Sequence, residues 1–138
     1  MITPEQFVAE ARTWLGVPFR HQGRTRHGVD CIGLVLCVRR AFGPFDPPAA
    51  RNVRYRRNPQ AQLLQGIEGT CIRLQQPEPG CLAMIQWPHQ EHAAHVAILT
   101  PGTIIHAYAK CGQVIETTYG NPWVRWTTSL WRIPGVEP

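Results

Sequence analysis

The feature that most restricts how this chain can fold is the run Cys31-Ile32-Gly33-Leu34-Val35-Leu36-Cys37-Val38, which carries no charged residue. Asp30 precedes it, Arg39-Arg40 closes it, and Gly43-Pro44 follows. An acidic residue at the entry, bases in the last turn and Gly-Pro beyond the end are boundary signals of a helix. A buried strand is the competing reading of so apolar a run; the length and the end signals favour helix. A helix apolar over most of its circumference belongs at the centre of a core, with the other elements arranged around it. The 138 residues suffice for one domain, taken as 1–138, and not for two ordinary ones. A domain of this size buries roughly two-thirds of its unfolded surface, enough for a core without disulfides.

The remaining elements are placed around that helix. Thr3-Pro4-Glu5-Gln6 combines an N-cap, a first-turn proline and a capping-box glutamine, and Phe7, Val8, Ala11, Trp14 and Leu15 fall on one helical face. Gly16 and Pro18 end that helix, and residues 17–29, with Gly23 and Gly28, read as a loop. Residues 44–59 are rich in proline and arginine and read as a surface loop, after which Asn58-Pro59 caps a short helix carrying Leu63, Leu64 and Ile67. Strand patterns then take over: Cys71–Leu74, Cys81–Gln86, Ala94–Thr100, Thr103–Tyr108, Gln113–Thr118 and Ser129–Ile133. Pro101-Gly102 makes the third and fourth of these a hairpin. Helices first and an antiparallel sheet after them define an α+β plan.

The 14 Lys+Arg against 9 Asp+Glu leave a net charge of +5, which favours an anionic partner such as nucleic acid, a membrane surface or a cell-wall polymer. Nucleic acid is the weakest of these, because only Tyr55 interleaves with the arginines at 51, 54, 56 and 57 as a base-stacking side chain would. No basic-then-apolar segment follows Met1 and no apolar run is long enough to span a membrane. The expectation is synthesis in the cytoplasm without export by that route. Five cysteines with no C-x-x-C pair argue against a disulfide framework or a structural zinc site, and no cofactor is implied.

Among those cysteines Cys31 stands apart. At a helix head it lies near unsatisfied backbone N–H groups and the positive end of the helix dipole, both of which favour the reactive thiolate. The same N–H groups can form part of an oxyanion hole. Gly33 allows another backbone or a substrate to approach closely. A helix-head cysteine taken alone is more often structural; a nucleophile needs a base, usually histidine. His89 and His92 fall in a polar loop, and His21 and His27 precede Cys31. His95 and His106 instead interrupt apolar strands. If Pro101-Gly102 centres the hairpin, Leu99 faces Ile104 and Ala97 faces His106. Alternation then puts His95 and His106 on one face as diagonal neighbours, close enough for one ring to orient the other. A one-residue slip would part them. Two histidines and a cysteine also suit zinc, but no fourth ligand is well placed.

Five segments now add up to more than their parts. Leu15-Gly16-Val17-Pro18-Phe19, Gly28-Val29-Asp30-Cys31-Ile32-Gly33-Leu34-Val35, Pro79-Gly80-Cys81-Leu82-Ala83-Met84, His95-Val96-Ala97-Ile98 and Ile105-His106-Ala107 occur in order. In order and spacing the chain resembles the NlpC-like peptidoglycan endopeptidases, which are papain-like cysteine peptidases. Its His21-Gln22-Gly23 loop, Arg-rich middle and Trp/Arg-containing end look most like the single-domain type encoded with phage tails. The resemblance implies a papain-like fold, with Cys31 as nucleophile, His95 as general base and His106 as the residue that orients it. It implies a stem peptide of peptidoglycan as substrate, no metal or cofactor, phage tail proteins as partners and action from a phage-like particle on the cell wall.

Three positions depart from the family pattern. Phe19 stands where the family has tyrosine, and His21 or Gln22 would have to supply the missing donor. Ile32 replaces the usual serine after the nucleophile. Cys81 replaces the usual aspartate after Gly80. Asp30 is retained, either to hold the amine end of a substrate or simply as the helix N-cap. Two alternatives stand beside the endopeptidase: a papain-like amidase or thioesterase on another substrate, and a tail-assembly module with a vestigial site.

Overall fold

The computed structural model describes residues 1–47 and 60–138, with side chains described for 1–47 and 65–138. The Arg51–Arg57 run and the Asn58-Pro59 cap lie outside the described residues, as do the side chains of Leu63 and Leu64.

Helix α1 spans Pro4–Arg12. The Thr3 side chain accepts from Gln6 N–H and the Gln6 side chain accepts from Thr3 N–H, the reciprocal capping box the sequence predicts. Phe7, Val8, Ala11 and Trp14 are buried as expected, but Leu15 is 42% exposed. The helix ends at Thr13, before Gly16, so Leu15 sits in a turn where helical periodicity no longer applies. The 17–29 segment holds a two-stranded ribbon, β1 (Arg24–Thr25) and β2 (Gly28–Val29). Helix α2 covers Cys31–Arg40, capped by Asp30, and α3 covers Gln60–Thr70.

A six-stranded sheet follows, built from β3 (Ile72–Leu74), β4 (Leu82–Ile85), β5 (His95–Leu99), β6 (Thr103–Tyr108), β7 (Gln113–Thr118) and β8 (Thr127–Arg132). Its strand order is β3-β8-β4-β5-β6-β7, and every pairing is antiparallel. Each strand expected from the sequence is present, with ends shifted by two residues at most. A one-turn helix, α4 (Trp123–Trp126), was not expected; it joins β7 to β8.

The central strands β4 and β5 are buried on both faces. Val96, Ile98, Ile105 and Ala107 pack with α1 and α2 through Phe7, Ala11, Leu34 and Val38. Ala83, Ile85, Ala97, Leu99 and Ile104 form a second core, which Trp87, Tyr119, Trp123 and Trp126 cover. Full burial of one such side chain contributes about 1.5–3 kcal/mol. Double coverage explains why β4 and β5 read as continuous apolar runs: neither face meets water, so alternation leaves no polar imprint. The result is an α+β fold with the central helix on one face of an antiparallel sheet.

Candidate active site

Asp30 builds the head of α2. Its Oδ1 accepts from Gly33 N–H at 2.8 Å and from Arg24 Nη1 at 3.1 Å, and its Oδ2 accepts from Gln22 N–H at 2.8 Å. At 3% exposure, the carboxylate ties the loop preceding α2 to the helix's first turn. Arg24 also donates to Gly23 O. The glycines make this clamp possible: a Cβ on Gly33 would lie 2.1 Å from Gly23 O, and one on Gly23 would lie 2.2 Å from Gly28 O. The close approach allowed by Gly33 is therefore that of backbone.

Cys31 occupies the first helical position, buried at 7% exposure. The Val96 and Ile32 N–H groups bear on its sulfur and favour the thiolate, and Arg24 does so from further away. Burial and the Asp30 carboxylate oppose them and win, pushing the thiol up to about 12. The sequence leads one to expect the opposite, because the helix head alone favours thiolate. The protein interior reverses that, since a buried anion next to a carboxylate loses more than N–H groups return. At neutral pH Cys31 is a thiol.

The hairpin has the register expected from Pro101-Gly102, with Leu99 opposite Ile104 and Ile98 opposite Ile105. His95 Nε2 and His106 Nδ1 lie 2.7 Å apart, a full hydrogen bond between two buried rings. Both histidines are held in the neutral form. Burial drives His95 well below its usual value, aided by His106, and burial lowers His106 to about 4. The Nε2 bond leaves Nδ1 as the His95 atom for receiving a proton. Cys31 reaches the same end of β5 through Val96, the residue after His95. Among the described residues no hydrogen bond joins Cys31 directly to His95.

Aromatic side chains enclose the pair, and sequence reasoning missed them. Trp87 stacks on His95 with centroids 5.2 Å apart, and Tyr108 stacks on His106 at 5.3 Å. Trp123 stands across His106 at 80° with centroids 4.9 Å apart, and Trp126 completes the cluster against Trp87 and Trp123. Tyr108 lies two residues beyond His106 on the same strand, so alternation places it beside the dyad. The tryptophans come from loops and α4, which no local pattern ties to the histidines.

Phe19 is partly buried against the main core, where its N–H donates to Gly112 O and its backbone bridges Val29. Gln22 adopts φ 61°, which turns the loop toward Asp30. His89, His92 and His27 are exposed, and His21 is half-buried. No three His, Cys, Asp or Glu side chains converge as metal ligands among the described residues.

The model of the NlpC/P60 family matches residues 16–132, which include Asp30, Cys31, His95 and His106. The chain belongs to the NlpC/P60 family. It is 31% identical over 124 residues to the probable endopeptidase NlpC of Escherichia coli (strain K12), across 89% of this chain and 71% of that protein. Its fold matches the NlpC/p60 domain of the peptidoglycan hydrolase SagA with a TM-score of 0.65 and 25% identity, covering 94% of this chain and 98% of that one. RipD of Mycobacterium tuberculosis, a non-catalytic NlpC/p60 domain protein, superposes at a TM-score of 0.61 with 18% identity, covering 94% and 95% of the two chains. The fold is thus compatible with a catalytic or a silent site, and this NlpC/P60 domain must be read from its own side chains.

Proposed function

We propose that this NlpC/P60 domain is a cysteine endopeptidase that hydrolyses amide bonds in peptidoglycan stem peptides. The observation that carries the reading is the 2.7 Å His95–His106 contact at the end of the strand whose next N–H, that of Val96, bears on Cys31.

In the proposed cycle the substrate excludes water and brings Cys31 and His95 into hydrogen-bond distance; such contacts are often open before substrate binds. The Cys31 proton passes to His95 Nδ1 as sulfur bonds to the amide carbon, and the carbonyl electrons move onto oxygen. The Cys31 N–H at the head of α2 stabilises that oxyanion, because Gly33 N–H is held by Asp30 and Ile32 N–H bears on the sulfur. His95 then protonates the leaving nitrogen, the C–N bond breaks and a thioester remains. A water molecule, deprotonated by His95, attacks the thioester, and Cys31 leaves and regains its proton. His106 holds the ring and its tautomer throughout.

Asp30 serves this reaction through the clamp, since its oxygens already hold Gln22, Gly33 and Arg24. In this reading Gln22 takes the donor role that Phe19 lacks. A second reading, a papain-like amidase or thioesterase on another substrate, is favoured by one feature of the sequence: Phe19 and Ile32 stand where the family carries hydroxyls. A phage-type tail is the proposed carrier to the cell wall, and mass spectrometry of purified particles tests that placement. Purified muropeptides incubated with wild type and Cys31→Ala test the reaction. Cleavage that disappears in the variant supports the endopeptidase, and full cleavage by Cys31→Ala refutes it.

A further inference from the structure

Among the described residues, one atom of the dyad itself, His106 Nε2, is buried with no nitrogen or oxygen partner. Its state follows from the dyad's own hydrogen bond. If His95 is the base, as proposed above, its Nδ1 must be free of a proton at rest, so its proton sits on Nε2. That Nε2–H donates to His106 Nδ1. His106 then accepts at Nδ1 and carries its own proton on Nε2. The base-competent tautomer thus puts an N–H at the atom that lacks an acceptor. The opposite tautomer, with His106 donating from Nδ1, leaves Nε2 a bare lone pair and disables His95 by protonating its Nδ1.

An unpaired buried N–H would oppose the competent tautomer unless something receives it. An in-plane N–H meets the face of a ring only when that ring stands across its own plane. Among the described residues three rings contact His106. Tyr108 lies at 17°, nearly parallel, so its face meets the imidazole's face. His95 is taken by the Nδ1 bond. Trp123 stands at 80° with centroids 4.9 Å apart, the one of the three whose angle lets its face accept an in-plane N–H. We propose that the indole face of Trp123 accepts the His106 Nε2–H, and that Trp123 is thereby a positioning residue holding the dyad in the one tautomer that can take a proton from Cys31. The neighbouring Trp126 and Trp87, both edge-on to Trp123 at 5.5 and 6.0 Å, fix the indole's orientation.

The test reads tautomers directly, without substrate. Long-range ¹H–¹⁵N spectra of the labelled wild-type protein at neutral pH distinguish Nδ1–H from Nε2–H on each ring. The expected result is Nε2–H on both histidines, with the His106 proton shifted upfield by the indole ring current and slow to exchange. Protonation of His106 at Nδ1, or an Nε2–H without the upfield shift, overturns the proposal. In Trp123→Leu the rings are expected to mix tautomers, and kcat on muropeptides to fall roughly two- to five-fold at unchanged KM, the scale of one weak hydrogen bond. Trp123→Phe, which keeps an aromatic face, is expected to recover most of both signals; an unchanged tautomer in a folded Trp123→Leu also overturns the proposal. Should Trp123→Leu fail to fold, the wild-type spectrum decides alone. A protein with the expected tautomers and no muropeptide cleavage would refute the proposed substrate and leave the role of Trp123 standing.

Discussion

Replacing Asp30 with asparagine separates two roles that this carboxylate combines. In the folded protein it accepts from Gly33 N–H, Gln22 N–H and Arg24, and its charge raises the Cys31 thiol. Asparagine keeps one acceptor oxygen and puts an amide NH₂ against donors where the other was. It also removes the charge paired with Arg24, whose side chain is 23% exposed against 5% for Asp30. Breaking a buried pair costs about 3–5 kcal/mol, and the partial exposure of Arg24 places this one near 3 kcal/mol. For a domain of this size that is a fall in Tm of about 10 °C. The thiol should meanwhile become more acidic, because the group raising it has gone and the Arg24 charge remains. Iodoacetamide alkylation of Cys31, followed against pH, reads that change as a lower midpoint. Arg24→Gln breaks the same pair from the other side, so it should also lower Tm but move the alkylation midpoint up. Two variants that agree in stability and disagree in reactivity would establish electrostatic control of the thiol. If both move the midpoint in the same direction, the effect is loosening of the loop and the reasoning fails.

The buried dyad makes the fold acid-sensitive. His106 titrates near 4 in the folded protein and near 6.5 unfolded, so between those values the unfolded chain holds a proton the folded chain refuses. Stability is therefore full above about pH 6.5 and falls as pH drops toward 4, by about 3 kcal/mol for this group, with His95 acting in the same direction; thermal melts from pH 8 to pH 4 should show it, and His106→Gln should flatten the slope. Gly33→Ala should cost about 3 kcal/mol, the upper end of overpacking, because its Cβ meets Gly23 O; a urea midpoint no lower than wild type would contradict the clamp. His95→Ala should slow muropeptide cleavage about 10²- to 10⁴-fold in a folded protein, the usual worth of a general base. His106→Asn should retain more activity than His106→Leu, since only asparagine offers His95 a hydrogen-bond acceptor.

Much of this architecture is legible before any coordinates, for reasons that differ by element. The capping box of α1 and the ends of α2 are written in local residue types whose chemistry is short-range. The hairpin register follows from one turn, Pro101-Gly102, and the meeting of His95 and His106 follows from that register and strand alternation. What escapes is set by tertiary context. Leu15 continues a helical pattern that the chain leaves at Thr13, where its exposure depends on a turn rather than a period. The Cys31 thiol is governed by burial and by Asp30, and a helix-head argument contains only the opposing half of that balance. Trp87 and Trp123 lie outside the strands that carry the rings they enclose, so only the folded chain assembles the aromatic shell around the dyad. Arg24 was similarly invisible, since its partner Asp30 is six residues away across a ribbon.

The central claim is that Cys31 carries the acyl group of a cleaved stem peptide. Acid-quenching the enzyme during muropeptide turnover and sequencing its peptides by mass spectrometry tests this at the atom concerned. An adduct of the acyl fragment's mass is expected on the peptide containing Cys31, lost with hydroxylamine and absent in Cys31→Ala. Turnover with no adduct on Cys31 and undiminished cleavage by Cys31→Ala would contradict it.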